Sequence, residues 1–235
     1  MNNDLAKKLK RFKNLPDYNK IEILDALGKE QKNSTITDFL INAFETEKYF
    51  KIRIKAVMVL ARLNDQEIAQ KLSEFYAYER DRNVRLAITE ALGEMEDIET
   101  DEMLKNILKN DLNDVVRAAA LRQLHERKKL KKIDITQLLL DVIKNDSETF
   151  PKQIALSLLP SYSTQTVYDT LKNCYYEEDK FKMKSLMFKT LTEVASTLNK
   201  EVDVEEPKKP QIESIEKKKR KKKKKNKEPE EYLYF

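Results

Sequence analysis

Catalysis needs particular side chains in company, and this sequence supplies few. The single histidine, His125, stands next to Glu126. One imidazole beside one carboxylate cannot assemble a multi-ligand metal site, and the pair reads as the end of a surface helix. The single cysteine, Cys174, has no histidine near it and falls on an apolar helical face, so it reads as core. No Gly-rich phosphate loop and no cluster with metal-ligand spacing occurs. Carboxylates are numerous, yet none sits in a motif that would tune one as acid and another as base. The chain is therefore expected to have no catalytic residue, no metal site and no cofactor. One thiol cannot close an internal disulfide, which fits a reducing, intracellular setting.

The charged residues that do follow a pattern fall into two groups. The first is a lysine run comprising Lys217, Lys218, Lys219, Arg220, Lys221, Lys222, Lys223, Lys224, Lys225 and Lys227. It is a candidate for binding a polyanion, be it nucleic acid or an anionic surface. With one arginine and no interleaved aromatic residue, such contact would be diffuse and without sequence preference. Residues 207–235 carry 12 Lys/Arg against 5 Asp/Glu, whereas residues 1–206 carry 34 against 36. The body is nearly neutral and the tail makes the protein basic, net +5.

The second group is periodic. The segment Val84–Gly93 recurs at shifts of 32 residues as Val116–Leu124 and Ile52–Leu60. Further copies begin at Asn19, Pro151 and Met183. The second position of each copy is basic: Lys20, Arg53, Arg85, Arg117, Lys152 and Lys184. Five residues before each copy stands Asn14, then Glu47, Glu79, Asp111, Asp146 and Glu178. A constant spacing between cation and carboxylate predicts a structural ladder of charge-assisted hydrogen bonds between turns. The ninth position is always leucine: Leu27, Leu60, Leu92, Leu124, Leu159 and Leu191. The fifth is always apolar: Ile23, Ala56, Ile88, Ala120, Ala155 and Met187. Residues four apart share a helical face, so each copy predicts a helix with one buried stripe. Both glycines, Gly28 and Gly93, hold the tenth position, where a left-handed helix stop is expected.

Between the copies lie second periodic stretches, such as Ile68, Leu72, Phe75 and Tyr76, or Leu138, Leu139, Val142 and Ile143. Each repeat is thus two helices joined by a short polar turn. One spacing is 35 residues rather than 32, which predicts a longer charged connection over Lys128–Asp134. The tally of 2 Gly and 6 Pro is too low for a turn-rich β fold.

The Val-Arg, Ala and Ala-Leu-Gly elements after an acidic turn resemble HEAT repeats of the phycobilisome-lyase-like subtype. Val84–Gly93 carries the resemblance most fully and the outer copies are degenerate. The resemblance covers roughly residues 14–200 and implies an all-α fold, an α-solenoid of six HEAT-like helix pairs. It is specific for fold and says little about activity, because one fold hosts many functions; the expected function is a scaffold that binds a protein partner. A lyase-like enzyme or maturation factor is the alternative it leaves open. Deoxyhypusine hydroxylases share the repeat design but use several His-Glu pairs, and this chain has one histidine.

Positions seven and eleven of the copies should line the inner face. Met58, Arg62, Glu90, Glu94, Arg122, Glu126 and Lys189 are the candidate partner-binding residues. Their mixed signs argue against a groove built for a nucleic-acid backbone. The stretch from Asp4 to Lys13, with Leu5, Leu9 and Phe12 on one face, predicts a helix capping the first repeat. Glu201–Pro210 reads as a linker. The domain expectation is a solenoid over residues 1–206 and a disordered lysine-rich tail over 207–235. Nucleic-acid or ribosome association through that tail is the second functional reading. No stretch approaches the ~20 apolar residues needed to span a bilayer. A monomeric cytoplasmic protein is expected, with nuclear residence the alternative in a nucleated cell.

Overall fold

The computed structural model describes residue 7 and residues 9–31, 33–95, 98–131 and 135–209. Every regular element among them is helical. Contacts gather the chain into two compact units, Met1–Leu158 and Leu159–Phe235.

In the first unit a helix α1 (Asp17–Leu27) precedes four pairs: α2 (Ser34–Thr46) with α3 (Phe50–Ala61), α4 (Gln66–Tyr78) with α5 (Arg82–Glu94), α6 (Ile98–Asn110) with α7 (Asp114–Lys131), and α8 (Thr136–Asn145) with α9 (Thr149–Leu158). The second helices pack on one another in sequence, α1 on α3, α3 on α5, α5 on α7 and α7 on α9. The second unit opens with a short 3-10 turn (Leu159–Tyr162), followed by the pair α10 (Gln165–Glu177) and α11 (Phe181–Thr197).

Short polar side chains start several of these helices by satisfying the first free backbone donors. Asn33 accepts from the Ile36 N–H at 3.0 Å, Asp65 from Glu67 at 2.9 Å and Thr164 from Val167 at 3.2 Å. On the second helices Asp81 accepts from the Asn83 N–H at 2.8 Å. The leucine column and the apolar fifth column are buried in every copy. Phe12 is buried and meets Phe39 edge to face at 4.9 Å, so an aromatic lid lies over the first pair. Leu5 lies outside the described residues.

Three expectations need correcting. First, neither glycine has a positive φ. Gly93 lies inside α5, and a Cβ there would come within 2.1 Å of the Gln123 side chain. At Gly28 a Cβ would stand 3.2 Å from the Arg62 guanidinium. At both glycines the space for a Cβ is taken by a side chain of the next repeat, Arg62 at Gly28 and Gln123 at Gly93. Among the described residues the left-handed positions are Asn64 (φ 43°) and Asn199 (φ 53°). Second, Lys128–Lys131 continue α7 instead of forming a connection. The longer repeat lengthens a helix because Glu126, Arg127 and the lysines are good helix formers with no breaker among them. Third, Glu201–Pro210 is not a free linker throughout. Residues 201–209 have no regular structure, yet Val204 is buried and Asp203 is engaged by α10. The remainder, 210–235, with the lysine run and the expected disorder, lies outside the described residues.

Candidate interaction surfaces

The ladder is built at the turn inside each helix pair. In the first unit the cation of one copy reaches the carboxylate of the next. Lys20 donates to both oxygens of Glu47 at 2.8 and 2.9 Å. Arg53 grips Glu79 through Nε (2.9 Å) and Nη2 (3.1 Å), and Arg85 grips Asp111 likewise at 2.8 and 3.1 Å. Arg117 closes on Asp146 at 2.8 and 2.7 Å. The planar guanidinium offers two parallel donors, so these three rungs are bidentate.

Each arginine has a third donor, which turns back on its own repeat. Arg53 Nη1 donates to the Glu47 and Lys48 carbonyls, Arg85 Nη1 to those of Glu79 and Arg80, and Arg117 Nη1 to that of Asp111. The carboxylate in turn holds the start of its own second helix. Glu79 accepts from the Asp81 N–H, Asp111 from Asn113 and Asp146 from Glu148, at 2.7–2.8 Å. One side-chain pair therefore fixes two turns and the step between them. Burial pushes the Asp111 carboxyl upward, but hydrogen bonds from Arg85, Tyr76 and the Asn113 N–H hold it below the usual carboxylate range. At Asp146 burial is likewise overcome by Arg117 and the Glu148 N–H. Tyr76 also donates to Asp111, and burial with that contact raises its phenol.

The last copies differ. Lys152 is half-buried on α9. In the second unit Glu178 accepts from the Lys180 N–H at 2.8 Å, and the Lys184 ammonium lies over the Tyr175 ring, 4.9 Å from its centroid.

Of the candidate partner residues, Met58 on α3 and Arg62 just past its end, Glu90 and Glu94 on α5, and Arg122 and Glu126 on α7 are all exposed. Met58 is 45% exposed, an apolar side chain set among charges. Burial and the nearby Glu94 raise the Glu90 carboxyl, against the opposing pull of Arg122. The Arg122 guanidinium covers the Phe150 ring at 5.7 Å. Lys189 is exposed in the second unit, 3.8 Å from Glu193. At position seven of the first copy, Asp25 is instead engaged by Lys55 at 2.8 Å.

Two clusters escaped the sequence. Arg127 is 4% exposed, donates to the Leu92 carbonyl at 3.1 Å and to the Thr100 hydroxyl, and pairs with Asp101 at 2.9 Å. Inside the run from Glu126 to Lys132 nothing in the sequence marks it as buried. The other is the Asp203 contact with α10, where an acidic stretch read as linker. Its one signal was the valine pair around the aspartate. Between α6 and α8 runs an open cleft of about 490 Å³ over Leu108, Leu138 and Val142. Cys174 is buried. No described helix is long and apolar enough to cross a membrane.

A family model for HEAT repeats matches residues 5–93 and, in an overlapping register, 37–125, together just over half of the chain. No curated protein and no solved structure matches it. Tandem helix pairs, a buried leucine column and a turn ladder thus coincide with the matched span, and the chain belongs to the HEAT-repeat family.

Proposed function

We propose that this protein is a non-enzymatic scaffold that binds a protein partner through the exposed row on its second helices. HEAT repeats commonly act as interaction scaffolds. The observation that carries the reading is the contrast between the two charged patterns. The ladder residues pair with one another across the turns, whereas Met58, Arg62, Glu90, Glu94 and Arg122 are exposed along the successive second helices. A row of mixed cations and carboxylates that begins at an exposed methionine favours a partner of complementary charge order. Val84–Gly93 supports placing the repeats in the phycobilisome-lyase-like subtype. The folded body is assigned to residues 1–206 and the lysine-rich tail to 207–235, in a cytoplasmic monomer. The tail adds electrostatic attachment to a polyanion. Nucleic-acid or ribosome association through that tail is the second reading, favoured by the charge split between tail and body.

The test is affinity capture from the native cell with the full chain and with an Arg62→Glu, Glu90→Lys, Arg122→Glu variant. The scaffold reading expects a partner retained by the natural chain and lost by the variant at unchanged melting temperature. Identical captures from both would remove the row from consideration.

A further inference from the structure

The segment after α11 is unusual for a stretch without regular structure, because named side chains of α10 hold it. The Asp203 carboxylate accepts from the Tyr168 hydroxyl at 2.5 Å and from the Lys172 ammonium at 2.6 Å. The Asp203 N–H donates to the same Tyr168 oxygen at 3.1 Å. Tyr175 donates to the Glu205 carbonyl at 2.6 Å. Between these contacts Val204 is buried, and at the start Lys200 lies over the Tyr168 ring and donates to Gln165 at 3.2 Å. Asn199, with its left-handed backbone, turns the chain off the end of α11 into this path.

The first unit shows what this place on a first helix ordinarily receives. Tyr76 of α4 and Tyr175 of α10 hold the same position, counted from Gln66 and Gln165. Tyr76 donates to Asp111, at the end of the next first helix. Tyr175 donates to Glu205, so the strap stands where a following first helix would stand. It fills that place with little apolar surface. Val204 is its one buried residue, and the Asp203 side chain remains 58% exposed. A ligand held by hydrogen bonds and one valine exchanges far more readily than a packed helix. Lys172, Tyr168 and Tyr175 all present donors outward, which selects acceptors: a carboxylate and, two residues on, a free backbone carbonyl.

We propose that the face of α10 bearing Tyr168, Lys172 and Tyr175 is a docking site for extended acidic peptides, with residues 200–206 as its built-in competitor. The occupant it fits carries an aspartate followed by a small apolar residue and an acceptor carbonyl. This site is separate from the row on the second helices, so either stands if the other fails.

The probe is a fluorescein-labelled peptide of residues 200–206, titrated by anisotropy into the full chain. An Asp203→Asn, Val204→Ser variant releases the strap and takes up the peptide at least tenfold more tightly than the natural chain. A peptide with asparagine for the aspartate binds at least tenfold more weakly, and adding Tyr168→Phe and Lys172→Ala to the released variant abolishes binding. Equal affinity of the released and natural chains, with amide protection of α10 and α11 intact, overturns the proposal. If the released variant loses that protection, a charge swap decides. Full-length Lys172→Glu should prefer a peptide with lysine in place of the aspartate over the natural peptide. No such preference overturns the proposal as well.

Discussion

The leucine of each copy and the carboxylate of each turn do different kinds of work. Leu92 is fully buried in the middle of the first unit, between α4, α6 and the flanking second helices. Leu92→Ala removes packed methyl groups that its neighbours cannot refill, and should cost ~2–5 kcal/mol in denaturant unfolding. An effect near zero would mean the stack collapses around the gap. Asp111 works through charge. Its folded pKa lies below the ~3.9 of an unfolded aspartate. A depressed carboxyl adds stability above the unfolded value and loses it as pH falls through the folded one. Asp111→Asn should therefore destabilise at neutral pH, and its deficit against the natural chain should shrink below ~pH 4. Urea midpoints across that range measure it. A deficit unchanged down to pH 2 would mean that the hydrogen bonds, and not the charge, matter.

A helix in this protein is set by its own sequence, but its tolerance is set by its neighbour. Gly93 illustrates the point. Alanine is favoured over glycine by roughly 0.5–1 kcal/mol inside a helix. Here the added methyl meets the flexible end of Gln123 on α7. Gly93→Ala alone should be near neutral, because Gln123 must swing away. Gly93→Ala combined with Gln123→Ala should gain roughly the intrinsic difference. A thermal melt of the single and double variants separates the two contributions. If the double variant is less stable than the natural chain, backbone approach and not the glutamine excludes alanine. The same distinction explains what was legible beforehand. Helix pairing and the turn ladder could be read because 3.6-residue periodicity and constant spacing are local, repeated signals. The reason for the glycines could not, since it lies across 30 positions of sequence, from Gly93 to Gln123. Arg127 and Asp203 were hidden for a related cause. A charged residue in a charged run looks solvated until another helix covers it, as α5 and α6 cover Arg127.

Across the whole chain, charge is unevenly placed, nearly balanced in residues 1–206 and strongly basic in 207–235. The ladder pairs Arg53, Arg85 and Arg117 with carboxylates inside the first unit, which leaves them poorly available to an external polyanion. The ten cations from Lys217 to Lys227 form a run with no acidic residue inside it, bounded by Glu216 and Glu228. A flexible polyanion neutralises such a segment by releasing counterions, so affinity falls with salt. For single strands the logarithmic slope is about −0.7 per phosphate neutralised. Engagement of about half the run gives a slope of roughly −3 to −4 for single-stranded RNA. Replacing the run with glutamines in the full chain should abolish that binding and leave melting unchanged. Arg85→Ala and Arg117→Ala should do the reverse, lowering the melting temperature while the salt slope stays the same. Tight binding by the glutamine variant, with little dependence on salt, would place the polyanion site on the helices and take it from the tail.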